Sequence, residues 1–329
     1  MDEPSAAQTH RPALARGIVA VGTLALVVLL ATDIAWPRVT HALSARRATA
    51  TPSTSTPAPT TTTTSTTSPT TTVVSTPPAT RPYLVDRQSV VLTDPTRAPS
   101  PRTSGSASGR NMRVLVLRPE GAVGALPVVV FAHGYESEPE VYLPLLEAWA
   151  EAGYLVAAPE LPGSARDLAG APAADEVAEG AHDLSFVVTA LLAGAAGPVD
   201  SSRVAVAGHS DGGSSVAALA LDTAYRDPRI SAYLVLSGVI SPTITNGTWD
   251  SGSGTPLLVV VGTDDEYGDL AGSTAVYQRA DDPKTLLTVP GGDHLGIYVG
   301  STSVADGVRD ATTAFLDADT PPPPRPRLQ

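Results

Sequence analysis

The stretch that decides the fold is residues 204–213, which read VAVAGHSDGG. Its first four residues are small and apolar, as in a buried strand, and the small-residue segment 214–221 that follows is typical of a helix. Between the two lies a Gly-x-Ser-x-Gly motif centred on Ser210. A turn this tight leaves little room for side chains beside the serine, which accounts for Gly208 and Gly212. The pattern predicts that Ser210 stands exposed at the end of a sheet and at the positive N-terminus of a helix, as a nucleophile would.

A serine nucleophile needs a base, and the candidate is His294. The chain has six histidines, of which only His294 follows Ser210. The segment 285–294 reads TLLTVPGGDH, an apolar strand that runs into a glycine-rich loop. In the strand–turn–helix arrangement predicted for Ser210, the base follows the nucleophile and the acid along the chain. The order therefore predicts that His294 is the general base, and His209 is interpreted as structural.

Three consecutive carboxylates follow the preceding buried strand. Residues 257–266 read LLVVVGTDDE, a continuous apolar run and then a polar turn, as expected for a strand covered on both faces. One carboxylate would accept the Nδ1 proton of the imidazole, fix its tautomer and stabilise the imidazolium. Asp265, three residues after Gly262, has the usual spacing for this role. Asp264 is the alternative acid.

An earlier buried strand is predicted to lead into part of an oxyanion hole. Residues 126–132 read LPVVVFA and lead into His133, Gly134 and Tyr135. A glycine at a strand end lets a backbone N–H point into a pocket, where it stabilises charge that develops in the transition state. The predicted donors are the N–H groups of Tyr135 and Asp211, and His133 is interpreted as shaping the loop.

Apolar runs and helical patterns alternate over the rest of the chain, which predicts a mostly parallel sheet with helices on both faces. The connection 237–256 is too short for a multi-helix cap. Strands are predicted at 87–92, 112–118, 127–132, 154–158, 203–207, 232–236, 257–261 and 285–289, and helices at 139–152, 174–193, 212–222, 272–279 and 303–317.

These motifs resemble the α/β-hydrolase superfamily, and within it the bacterial dienelactone-hydrolase-like, chlorophyllase-like and cutinase-like group, which shares features with platelet-activating-factor acetylhydrolases. The resemblance rests on the turn at 208–213 and on segments 90–97 and 113–119, which resemble the opening hairpin of that group, and it covers about residues 83–318. It implies an α/β-hydrolase fold without a large cap domain and a Ser-His-Asp triad. The chain has no cysteine, so the cutinase disulfide and the cysteine nucleophile of true dienelactone hydrolases are both missing.

The N-terminal part is predicted to place this domain outside the cytoplasm. After a polar stretch at 1–16, residues 17–36 begin with fifteen mostly apolar residues and approach the length that spans a bilayer. We favour an uncleaved single-pass anchor in the cell membrane, with a cleaved export signal as the alternative. The linker 37–81 is a Ser/Thr/Pro-rich stalk, because such composition has nothing to bury. The catalytic domain is predicted at 82–318, and a proline-rich disordered tail at 319–329.

Composition excludes several classes of partner. Residues 82–329 carry 15 Lys or Arg against 30 Asp or Glu, an acidic balance that argues against nucleic-acid binding. The absence of cysteine excludes disulfides and Cys-based zinc sites. The sequence has no Walker loop or dinucleotide fingerprint, so we expect neither a cofactor nor a metal.

The sequence therefore favours an extracytoplasmic serine hydrolase that acts on a small-molecule or lipid-like carboxylic ester. An acyltransferase or a peptidase with the same triad is an alternative, and a catalytically silent surface interaction module is another. Tyr135, Trp249 and Tyr298 are predicted to line the cleft.

Overall fold

The structure of the protein, a computed structural model, describes residues 82–103, 108–166, 168–171, 179–241, 249–267 and 269–322. Eight strands form one sheet in the order β1-β2-β4-β3-β5-β6-β7-β8. The first strand pairs antiparallel with the second, and the second antiparallel with the fourth. All other neighbours are parallel. The strands are β1 (Val85–Asp94), β2 (Arg110–Pro119), β3 (Leu126–Ala132), β4 (Leu155–Pro159), β5 (Val199–His209), β6 (Ala232–Leu236), β7 (Leu257–Gly262) and β8 (Lys284–Val289).

Helices connect the parallel strands and cover both faces of the sheet. They are α1 (Leu143–Ala152), α2 (Gly180–Leu192), α3 (Asp211–Leu221), α4 (Asp269–Arg279), α5 (Gly296–Val299) and α6 (Ser303–Asp319). Residues from α2, α3 and α4 pack in the hydrophobic core on one face. Those from α1, α5 and α6 pack in the core on the other. The fold class predicted from the sequence is confirmed.

The central strands supply both cores because their side chains alternate between the two faces. In β3, Val128 and Val130 belong to one core, whereas Val129 and Phe131 belong to the other. All seven residues of this strand are buried. A continuous apolar run is what a parallel strand with helices on both sides requires.

The structure differs from the predicted elements at three places. The helix predicted over 139–152 begins as a 3₁₀ turn at Pro139–Tyr142, followed by α1. The short α5 was not predicted, since four residues are too few for a periodic pattern. Helix α6 ends at Asp319, two residues beyond the predicted helix, and Thr320 after it is fully buried.

Several predictions concern residues outside those that the structure describes. They are the N-terminal stretch 1–16, the apolar segment 17–36, the linker 37–81 and most of the tail, 323–329. Among the residues described, no helix combines the length and apolar character that crossing a membrane requires.

Candidate active site

Ser210 occupies the turn between β5 and α3. Its backbone has φ 55° and ψ −119°, a left-handed conformation that non-glycine residues rarely adopt. The turn is fixed from both sides, because the Ser210 N–H donates to the Leu236 carbonyl at 2.9 Å and the Ser210 carbonyl accepts from Ser214 N–H at 2.8 Å. The hydroxyl group therefore stands at the N-terminus of an eleven-residue helix, as the sequence predicts.

The two glycines of the motif are required by close backbone packing. A Cβ on Gly208 would lie 2.3 Å from the Gly212 carbonyl oxygen, and one on Gly212 would lie 2.3 Å from the Ala132 carbonyl oxygen. Real Cβ atoms essentially never approach other atoms this closely. Glycine at both positions is what lets β3, β5 and the start of α3 meet beside Ser210.

Backbone strain is concentrated around this turn. Among the residues that the structure describes, three non-glycine residues have positive φ: Glu136, Ser210 and Ser237. All three line one cavity of 560 Å³ at the carboxyl ends of the parallel strands. Strained residues of this kind cluster at functional sites, where the surrounding structure holds them in place.

His294 lies on the same cavity and is hydrogen-bonded to a buried carboxylate. Its Nδ1 is 2.9 Å from Asp265 Oδ2, and the Asp265 side chain has no exposed surface. The other carboxylate oxygen of Asp265 accepts the Tyr267 backbone N–H at 3.1 Å. Because the carboxylate accepts at Nδ1, that nitrogen carries the proton and Nε2 is left as the basic nitrogen.

Asp264 does not reach the histidine. Asp264 is exposed, and its carboxylate accepts a hydrogen bond from the Thr263 hydroxyl at 3.1 Å. Its N–H donates to the Gly292 carbonyl, which orients the two successive aspartates differently. Of the two candidate acids, the structure brings Asp265 to His294.

The two predicted oxyanion donors also face the cavity. Tyr135 and Asp211 both line it. In the part of the chain that the structure describes, neither backbone N–H has a hydrogen-bond acceptor. Asp211 is the first residue of α3, so its N–H is one of those that a helix leaves unpaired. Both groups are therefore available to a ligand.

His133 has a structural role, as expected. It is fully buried, its Nε2 accepts the Leu161 N–H at 3.0 Å, and its Nδ1 lies 2.8 Å from the Gly134 carbonyl. Burial lowers the pKa of His133 to about 4, so the ring is neutral. It ties the loop after β3 to the loop after β4.

The charged groups that line the cavity are mostly acidic. Four carboxyl groups face one guanidinium, that of Arg166. The carboxyl groups belong to Glu136, Asp211, Glu266 and Asp269. Burial raises the pKa of Asp211, and it raises the pKa of Asp269 to about 6 with help from the charge of Asp265. Such surroundings disfavour an anionic ligand.

Three groups in the site have a spacing that a cation could also use. The ligand atoms of Asp265, Asp269 and His294 all lie within 4.8 Å of one another. However, His294 Nδ1 already meets Asp265 at hydrogen-bond distance. The arrangement fits a hydrogen bond between imidazole and carboxylate, and one nitrogen with two carboxylates has fewer nitrogen or sulfur ligands than catalytic zinc sites, which have at least two.

Two aromatic residues that were expected in the cleft lie elsewhere. Tyr298 is buried, and its hydroxyl is bonded to the Val260 carbonyl and to Ser237. Trp249 pairs with Asp222, the residue after the end of α3. That helix spans about 16 Å, so Trp249 lies at the end remote from Ser210. Tyr135 lines the cavity as predicted.

Comparisons with known proteins agree with this architecture. The chlorophyllase family model matches residues 94–248. A ferulic acid esterase from Streptomyces cinnamoneus is 21% identical with a TM-score of 0.58, over 77% of this chain and 96% of that one. A putative dienelactone hydrolase from Klebsiella pneumoniae is 19% identical with a TM-score of 0.52, over 70% and 98%. An esterase from the archaeon Pyrobaculum calidifontis is 16% identical with a TM-score of 0.54, over 70% and 85%. None of the curated proteins matches the sequence.

The chain has the α/β-hydrolase fold. The resemblance inferred from the sequence is confirmed at this level. The family match includes Ser210 and both oxyanion candidates but ends before Asp265 and His294. The similarity to solved structures shows the fold.

Three residues of this α/β-hydrolase site were not predicted from the sequence. Asp269 Oδ2 lies 3.4 Å from His294 Nδ1, and Glu266 accepts the His294 backbone N–H at 3.0 Å. The run of acidic residues after Gly262 was the available signal for both. Tyr142, hydrogen-bonded to His209, carried no signal in the sequence because it reads as one apolar helix residue among others.

Proposed function

We propose that the protein is a serine hydrolase of carboxylic esters that works through an acyl-enzyme intermediate. One observation carries the proposal: the His294–Asp265 hydrogen bond stands on the same cavity as Ser210, which is held at positive φ on a helix N-terminus. A nucleophile, a base with its orienting acid, and unpaired backbone donors together are what acyl transfer requires.

In the proposed reaction, Ser210 Oγ attacks the ester carbonyl carbon while His294 Nε2 accepts the hydroxyl proton. Asp265 stabilises the imidazolium, and the N–H groups of Tyr135 and Asp211 bind the oxyanion of the tetrahedral intermediate. The intermediate collapses as Nε2 returns the proton to the departing alcohol. A water molecule then attacks the acyl-enzyme by the same route, which releases the carboxylic acid and restores Ser210.

The cavity favours an uncharged small-molecule or lipid-like ester. Its volume of 560 Å³ is in the range that holds a drug-sized ligand. Its excess of carboxyl groups opposes a substrate that carries its own carboxylate near the reacting bond. The solved structures of similar fold include proteins described as esterases, which is consistent with this chemistry.

We further propose that the domain acts outside the cytoplasm, attached through residues 17–36. The support is the apolar character of that segment and the Ser/Thr/Pro-rich stretch that follows it. Fractionation of cells that produce the full chain should place it with membranes, and protease treatment should release an active domain. Mature protein that begins near residue 45 in the medium would favour the cleaved export signal.

The test of the catalytic proposal is labelling by a fluorophosphonate probe together with turnover of p-nitrophenyl esters of graded chain length. The full chain should be labelled and should hydrolyse the esters, and Ser210→Ala should lose both, with turnover lower by about 10⁵-fold. The control is Asp200→Asn, because this half-buried acid pairs with Arg203 near the start of β5 and does not line the cavity. A folded Ser210→Ala protein with a tenth of the activity would refute the assignment. Labelling without hydrolysis, with product formed when an alcohol or amine acceptor is added, would indicate acyl transfer.

A further inference from the structure

A buried neutral histidine connects two loops of the site. His209 precedes the nucleophile and is 2% exposed. Its Nε2 lies 2.8 Å from the backbone carbonyl of His294, and its Nδ1 lies 2.8 Å from the Tyr142 hydroxyl. Because a carbonyl oxygen can only accept, Nε2 carries the proton and Nδ1 accepts from the phenol. Burial lowers the pKa of His209 to about 3, so this tautomer persists at neutral pH.

Tyr142 extends the connection to the loop that follows β3. Its hydroxyl oxygen accepts the Gly134 N–H at 3.2 Å while its proton goes to His209. The ring is 1% exposed and packs against Phe131, with centroids 4.8 Å apart. Gly134 directly precedes Tyr135, whose N–H is the proposed oxyanion donor. A continuous chain of hydrogen bonds thus runs from the oxyanion loop to the backbone of the catalytic histidine.

We propose that His209 and Tyr142 act as a positioning pair. Together they fix the positions of the His294 backbone and of the Gly134–Tyr135 loop relative to Ser210. The inference rests on the proposed function of the site. Neither residue takes part in the chemistry. Both nitrogens of His209 are used in hydrogen bonds, and its neutral ring does not serve as a second base for Ser210.

The energetic argument comes from the geometry that proton transfer needs. A displacement of about 1 Å between reacting groups can lower the rate about 100-fold. His294 is tied to the acid loop by its side chain and by its N–H, and its carbonyl is tied to β5 through His209. Removal of that last bond frees the histidine loop to shift relative to Ser210. We therefore expect kcat to fall and KM to change little.

Three substitutions in the full-length protein separate the two bonds of His209. Glutamine at this position retains an N–H donor near Nε2 but loses the acceptor at Nδ1, whereas asparagine retains the acceptor and loses the bond to His294. We expect His209→Asn to lower kcat about 100-fold, and His209→Gln and Tyr142→Phe about 10-fold each, with KM within about twofold. Tyr142→Phe and His209→Gln combined should lower kcat by less than the product of the single effects, because they break one chain of bonds.

Tyr154→Phe is the matched control. Tyr154 is also fully buried, and its hydroxyl donates to Asp317 at 2.8 Å, but it has no connection to the site. This variant should lose thermal stability as Tyr142→Phe does while keeping the wild-type kcat. The proposal would be overturned if all three positioning variants had the wild-type kcat. It would also be overturned if their loss of activity only matched the loss of folded protein. An equal loss of kcat in folded Tyr154→Phe would overturn it as well.

The inference and the proposed function fail in different ways. If the wild type hydrolyses no ester and no probe labels Ser210, the function is wrong. If the wild type is active and the variants match it, only the positioning role is wrong. Nitrogen NMR of histidine-labelled protein adds a readout independent of turnover: His209 should remain neutral and protonated at Nε2 between pH 5 and 8. A signal that titrates in that range would contradict the hydrogen-bond assignment.

Discussion

Two buried aspartates in this molecule have opposite surroundings. Asp183 on α2 is bonded by two guanidinium groups, with Arg97 Nη1 at 2.5 Å and Arg110 Nε at 2.6 Å. Asp265 meets one imidazole, that of His294 at 2.9 Å, and a backbone N–H. Neither carboxylate has exposed side-chain surface. The first faces two permanent cations, and the second faces an imidazole, which is the base in the proposed reaction.

Under the proposed function, the difference separates a structural charge from a reactive one. Arginine stays protonated at all relevant pH values, so Asp183 holds a fixed ion cluster that joins the β1–β2 connection to α2. Asp265 instead lies behind a cavity and, in the proposed reaction, would stabilise His294 when that residue accepts a proton. A buried carboxylate has a structural role when its partners keep the same charge. It can support chemistry when its partner gains and loses a proton beside a ligand site.

The largest expected effect concerns the reactive aspartate. Asp265→Asn should lower kcat about 10⁴-fold, because the imidazole loses both its tautomer and its counter-charge. Asp264→Asn should change kcat less than about threefold, since the one side-chain hydrogen bond of that carboxylate to the described part of the chain is with Thr263. Steady-state hydrolysis of one p-nitrophenyl ester measures both. The reverse ranking would assign the acid to Asp264.

The structural aspartate should show the opposite behaviour. Asp183→Asn removes the carboxylate that the buried Arg110 and the partly exposed Arg97 both contact, so we expect the free energy of unfolding to fall by about 3–5 kcal/mol. Activity per folded molecule should stay at the wild-type level. Denaturant titration and kcat, compared with Asp265→Asn, measure the contrast. A large loss of kcat in folded Asp183→Asn would remove the distinction between the two sites.

Most residues of the proposed reactive site could be predicted from the sequence, whereas the ion pairs of Asp183 could not. Ser210 and His294 follow from a motif and from chain order, and Asp265 follows from its distance to a strand end. The pairing of Asp183 with Arg97 and Arg110 depends on how α2 packs against β1 and β2, which no local pattern records. The same holds for Tyr142 and His209, because hydrogen bonds over 67 residues of chain are set by tertiary packing.

The cavity has an excess of negative charge, whereas Asp183 is balanced by Arg97 and Arg110. This excess should affect which substrates the protein prefers. An ester with a free carboxylate, such as p-nitrophenyl hemisuccinate, should have a kcat/KM about tenfold lower than the neutral butyrate at low salt. Added salt should reduce the difference, because it screens charges at an exposed cavity. A preference for the hemisuccinate would instead indicate that Arg166 binds the carboxylate.

The smallest expected effect concerns Asp269, the second carboxylate beside His294. Burial and the charge of Asp265 raise the pKa of Asp269 to about 6, so it is ionised at neutral pH, with Oδ2 3.4 Å from His294 Nδ1. Asp269→Asn removes this negative charge from beside the proposed base. We expect the acid limb of kcat/KM to move to lower pH by about half a unit. Asp264→Asn is the control, and its profile should not move.

The Asp269 carboxyl group should also make the free energy of unfolding depend on pH, in a direction that can be measured. A free aspartate has a pKa of about 3.9, so between pH 4 and 6 the folded state binds this proton more tightly than the unfolded chain. The contribution of Asp269 to the free energy of unfolding therefore falls as pH rises through that window. Asp269→Asn should remove this part of the pH dependence, whereas Asp264→Asn should keep it. Parallel curves for Asp269→Asn and the wild type would show that Asp269 titrates as an ordinary surface acid, and the imidazolium would then depend on Asp265 alone.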